Sequence, residues 1–133
     1  MYVLSANVSV YAPRVDIAVG PFKIARGRDD RITAALLPER LQSLLVQLRP
    51  NPNPRCLLAI EVVYSGSSKH IMGDMLDPSA LGLYGLVVGD EAMLPKIRRI
   101  GQYVERLAEL EKSPELFANL VTLSTAKFDS LLV

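Results

Sequence analysis

A nearly unbroken apolar run, CLLAIEVVY at Cys56–Tyr64, constrains this chain more than any other stretch. Pro50, Pro52 and Pro54 close the segment before it, and Ser65-Gly66-Ser67-Ser68 breaks the chain after it. Its length and β-branched residues suit a central strand buried on both faces, as in a parallel sheet. Leu83–Val88 is a second such strand, ended by Gly89-Asp90. Between them, Lys69–Leu76 reads as a helix, extended or kinked past Pro78 to Leu81, with the serine-rich break offering its cap. Two buried strands joined through a helix fit a right-handed parallel crossover.

The flanking segments add to this unit. Tyr2–Tyr11 alternates, with Leu4, Ala6, Val8 and Val10 on one side, and Arg14–Val19 alternates again, with Asp16 and Ala18 opposite Val15, Ile17 and Val19. A short turn at Ala12-Pro13 makes these two an antiparallel hairpin. Residues 22–34 are polar and read as a loop. Leu37, Leu41, Leu44, Leu45 and Leu48 form one helical stripe, opened by Pro38. Leu94, Ile97, Ile100, Val104, Leu107 and Leu110 form another, ending near Lys112. Leu120–Leu123 reads as a short strand, and Thr125 as the cap of a last helix through Leu132. The order β-β-α-β-α-β-α-β-α contains no repeat and no linker. It predicts a single α/β domain over 1–133, a mixed central sheet flanked by helices. Leu41, Leu44, Leu58, Ile60, Leu86, Val88, Ile97, Ile100 and Val104 are its expected core.

Composition removes several function classes. Fifteen Lys and Arg against 14 Asp and Glu leave a net charge of +1, too little for a histone-like coat on phosphate. With one cysteine, Cys56, and one histidine, His70, neither an internal disulfide nor a Cys/His zinc cage can form. Cys56 itself reads as a small core residue. No apolar run approaches the roughly 18 residues of a membrane helix, and the N-terminus carries no secretory signature. The default is a soluble cytoplasmic protein. A mean hydropathy of +0.23 predicts a buried interface, as a homo-oligomer or a partner subunit.

Two acids stand out. Glu61 interrupts the most apolar strand, where an unpaired carboxylate is costly. Asp16 is the only acid in its own short strand. Side by side in one sheet, the two would repel and invite a hard divalent cation such as magnesium. The plainer alternatives are a strand end reaching solvent or a pair with Arg14 for Glu61, and a solvent-facing acid for Asp16.

The stretch Pro13-Arg14-Val15-Asp16-Ile17-Ala18-Val19-Gly20, the strand Leu58-Ala59-Ile60-Glu61-Val62-Val63, and the passage through Ser65–His70 into a helix and Gly85-Leu86-Val87-Val88 resemble the PD-(D/E)xK, or restriction-endonuclease-like, nuclease superfamily. The resemblance covers roughly residues 2–90. It implies a restriction-endonuclease-like core and a magnesium- or manganese-dependent phosphodiesterase acting on nucleic acid. Asp16 and Glu61 would be metal ligands, joined by the Val62 backbone carbonyl. The family's lysine, two residues after the glutamate, is Val63 here. Migration of that lysine onto the next helix is known in the superfamily, which makes Lys69 its stand-in. The family's N-terminal helix is missing or lies outside this sequence. Both departures point to a degenerate, inactive member as the alternative: a nuclease-like protein used for binding or assembly.

His70 and Asp74, four residues apart, can relay a proton in the same cleft or form an exposed helical pair. Lys23, Arg26, Arg28 and Arg31 can hold phosphates or simply be solvated. Lys96, Arg98 and Arg99 read as the solvated face of the long helix.

Overall fold

The computed structural model describes residues 14–20, 22, 37–112 and 115–132, together with the backbone pairing of two short strands near the N-terminus. Those strands, β1 (Tyr2–Ser5) and β2 (Val8–Val10), pair antiparallel with each other, Tyr2 opposite Val10. The expected hairpin between Tyr2–Tyr11 and Arg14–Val19 is therefore corrected. The first segment folds back on itself, and β3 (Ile17–Val19) joins a different sheet.

That sheet has four strands in the order β3, β4 (Cys56–Val63), β5 (Gly82–Gly89) and β6 (Leu120–Ser124). β3 runs antiparallel to β4, and the other pairs are parallel, so the sheet is mixed as expected. Helix α1 (Glu39–Leu45) precedes β4, α2 (Ser68–Leu81) crosses from β4 to β5, and α3 (Leu94–Glu109) crosses from β5 to β6. α4 (Thr125–Leu131) follows β6, and Ser124 rather than Thr125 is its cap, its Oγ accepting from the Lys127 amide at 3.0 Å.

Alternation along the strands divides the core into two layers. Leu58, Ile60, Leu86, Val88 and Leu123 pack with Leu41, Leu45 and Leu131, under α1 and α4. Val63, Val87 and Leu120 pack with Ile71, Met75, Ile97 and Ile100, under α2 and α3. Both crossover helices lie on one face, as connections of one hand require. All the expected core residues are buried except Leu44, which is half-buried; Leu45 takes the inward position.

α2 runs unbroken through Pro78, although an interior proline costs a helix about 3 kcal/mol. β5 makes room for this helix at Gly85. A Cβ there would stand 2.9 Å from the Pro78 carbonyl group and 2.8 Å from Leu120 Cδ1, so only glycine lets α2 lie this close. At the end of α2, buried Asn119 donates through Nδ2 to the carbonyls of Ser79 (2.9 Å) and Gly82 (3.2 Å). Ser79 Oγ donates to Asn119 Oδ1 at 2.8 Å, and Asn51 Nδ2 reaches the Ala80 carbonyl at 3.0 Å. These amides satisfy the last carbonyls of the helix. Among the described residues, no helix is long and apolar enough to cross a membrane.

Candidate metal and phosphodiester site

The carboxyl ends of β4 and β5, where a parallel sheet opens into a crevice, carry the unusual side chains. Because β3 is antiparallel, its start lies at the same edge. Its register pairs Ile17 with Ile60 and Ala18 with Ala59, and one step further sets Asp16 across from Glu61. The ladder ends there in a side chain: Asp16 Oδ2 accepts from the Val62 amide at 2.8 Å. The Val62 carbonyl projects from the same edge of β4, because a strand residue's N–H and C=O face one neighbour.

The charge of Asp16 acts directly on the Glu61 carboxyl. Burial first, then the charge of Asp16, then Asp74 and Asp77, push the Glu61 carboxyl from 4.5 up to about 8. Asp74 is raised as well, by burial most of all and also by Asp77 and Asp16, while His70 opposes the rise. Arg14 makes no ion pair among the described residues, so it does not neutralise Glu61.

α2 supplies the second tier. Its cap is Ser67, whose side chain accepts from the His70 amide at 3.3 Å. Gly66 precedes it at φ +139°, a conformation that L side chains avoid. A Cβ there would also meet the His70 ring at 2.9 Å. His70 Nε2 lies 3.5 Å from Asp74 Oδ2, so the pair expected from the sequence is present. Asp77 acts on Glu61 too. It is absent from the site residues expected from sequence, yet the i, i+4, i+7 spacing of His70, Asp74 and Asp77 places all three on one flank.

Lys69 is not brought to the carboxylates. It lies with Met72 on the other flank of α2, lining a groove shared with α3. The wheel gives the reason, since one residue's step of about 100° carries Lys69 away from the flank of His70. Val63, at the family's lysine position, is 1% exposed and packs among Ile71, Met75 and Val87. Lys23, Arg26, Arg28 and Arg31 lie outside the described residues.

The donor set fits a hard dication in kind: two adjacent carboxylates, one holding a proton a cation could displace, beside a backbone carbonyl. Among the described residues, no three His, Cys, Asp or Glu side chains group closely enough to hold a metal ion, so a cation here would keep several waters, as magnesium does. No protein-family model, no curated protein and no solved structure matches this chain.

Proposed function

We propose that this chain is a magnesium-dependent phosphodiesterase of restriction-endonuclease-like type, acting on nucleic acid in the cytoplasm. The observation that carries the reading is the cross-strand pair Asp16–Glu61, locked by the Val62 amide at the open end of the sheet. Asp16, Glu61 and the Val62 carbonyl would hold the cation. Bound there, magnesium or manganese would lower the pKa of a coordinated water and offset charge developing on the phosphoryl oxygens. Asp16 is oriented before any ligand arrives, because one of its oxygens is committed to the backbone. Glu61 must give up its proton on binding, which makes affinity rise with pH. His70, paired with Asp74 at 3.5 Å, keeps the proton relay that the sequence assigns to those two residues.

A second reading is favoured by the burial of Val63 and the placement of Lys69. With no ammonium beside the carboxylates among the described residues, the site holds metal and binds nucleic acid without cutting it. A melting series with and without manganese, on the parent and Glu61→Gln, run beside a plasmid-nicking assay, separates the two. A metal-dependent rise in Tm that Glu61→Gln abolishes, with nicking, supports the phosphodiesterase. The same rise without nicking supports the binding protein. No rise in the parent overturns both.

A further inference from the structure

The groove between α2 and α3 is lined by Ser68, Lys69, Met72, Lys96, Arg99, Ile100 and Tyr103, and encloses about 600 Å³. Three of its residues are cations and none is an acid. Neither Lys69, Lys96 nor Arg99 forms an ion pair among the described residues, where the ion pairs are Arg49–Glu115 and His70–Asp74. Lys96 is half-buried, and its Nζ donates to the Gly66 carbonyl at 3.0 Å, which ties the groove to the loop before the α2 cap. Tyr103 is 58% exposed, one turn along α3 from Arg99. Spacing continues the stripe to exposed Arg106, seven residues beyond Arg99.

Charge is thus sorted across one helix. The flank of α2 facing Glu61 carries Asp74 and Asp77, and the flank facing α3 carries Lys69 opposite Lys96 and Arg99. On a chain of net charge +1 this sorting does not follow from composition. Cations converging on one groove repel one another, and an anion laid along it relieves the repulsion.

We propose that the α2–α3 groove is a docking track for the phosphodiester backbone of duplex DNA, with Lys69 and Arg99 contacting successive phosphates and Lys96 fixing the loop that leads to Asp16 and Glu61. The choice of nucleic acid over another polyanion rests on the phosphodiesterase reading; the groove itself does not. Lys69 becomes a substrate-positioning residue rather than a group acting on water.

The test is fluorescence anisotropy of a short labelled DNA duplex in EDTA, so that no metal site contributes. Lys69→Glu/Arg99→Glu is compared with Arg55→Glu/Lys127→Glu, which changes net charge equally at exposed sites away from the groove. The groove variant is expected to bind about tenfold or more weakly, and the slope of log K against log salt to fall by about 2, since each lost phosphate contact removes roughly 0.9. The control keeps the parent slope. Lys69→Gln/Arg99→Gln, which adds no repulsion, should lose the same slope and guards against misfolding of the reversed variant. Equal loss in the control, parent-like binding by the groove variants, no duplex binding by the parent, or displacement by polyglutamate as effective as by unlabelled duplex would each overturn the track. Plasmid nicking is scored separately with manganese. Binding lost in the groove variants while the parent never nicks leaves the track standing and removes the hydrolase. Nicking that survives the groove variants does the reverse.

Discussion

The two ends of α2 are built on opposite plans. Where the helix meets β5, Asn51, Ser79 and Asn119 satisfy its terminal carbonyls with neutral hydrogen bonds, and Asn119 is buried. Where it leaves β4, Asp16, Glu61, Asp74 and Asp77 crowd one flank and Lys69 looks away from them. The first end is a clasp, in which Asn51 and Asn119 share the Ser79 and Gly82 carbonyls. The second sets acids near one another, with Glu61 pushed up to about 8 by burial and by its acidic neighbours. Carboxyls placed so that they raise one another mark the end suited to a ligand.

The packed layer beneath both ends should dominate stability. Ile71→Ala, directly under the acidic end and fully buried, should cost about 2–5 kcal/mol in urea unfolding. A cost near zero would mean that the polar rim, not the packing, holds that end. Asn119→Ala should cost about 1–3 kcal/mol, because it removes a buried amide that bonds Ser79 Oγ and the Ser79 and Gly82 carbonyls, leaving them only Leu116 O and Asn51 Nδ2. Glu61→Gln should behave oppositely. The folded state holds a proton on Glu61 that the unfolded chain releases near 4.5, so parent stability should fall as pH rises from about 4.5 to about 8. The variant lacks that decline, and its Tm advantage should open across this window and level off above it. An advantage independent of pH would mean that Glu61 titrates normally. Smallest of all, Glu115→Ala breaks the exposed Arg49–Glu115 pair and should cost about 0–1 kcal/mol by thermal melting.

The sheet and the acid pair are legible in the sequence for different reasons. The β4–α2–β5 unit is visible because both strands are buried on two faces and leave no alternation to misread. Asp16 and Glu61 are visible because each breaks an apolar strand. The pairing of β1 with β2 is hidden because two short strands within one alternating run carry the same pattern as a single strand. Lys69 is misplaced by sequence because proximity along the chain ignores the 100° step between it and His70. Asp77 carries a legible spacing, but nothing in the sequence shows that this flank of the helix faces Glu61. The Asn51–Asn119 clasp joins residues far apart in the chain by hydrogen bonds alone, and no periodicity announces it.

The pair at the open end of the sheet can be measured directly by following the Glu61 carboxyl through a pH titration with carbon-13 NMR, in the parent, in Asp16→Asn, and in the parent with magnesium. The parent should titrate near 8. Asp16→Asn should bring it down but leave it above the ordinary glutamate range, because burial is the larger cause. Magnesium should lower it as the proton leaves for the cation. A Glu61 that titrates in the ordinary range in the parent and is moved by neither change would contradict the coupled acid pair and the metal site built on it.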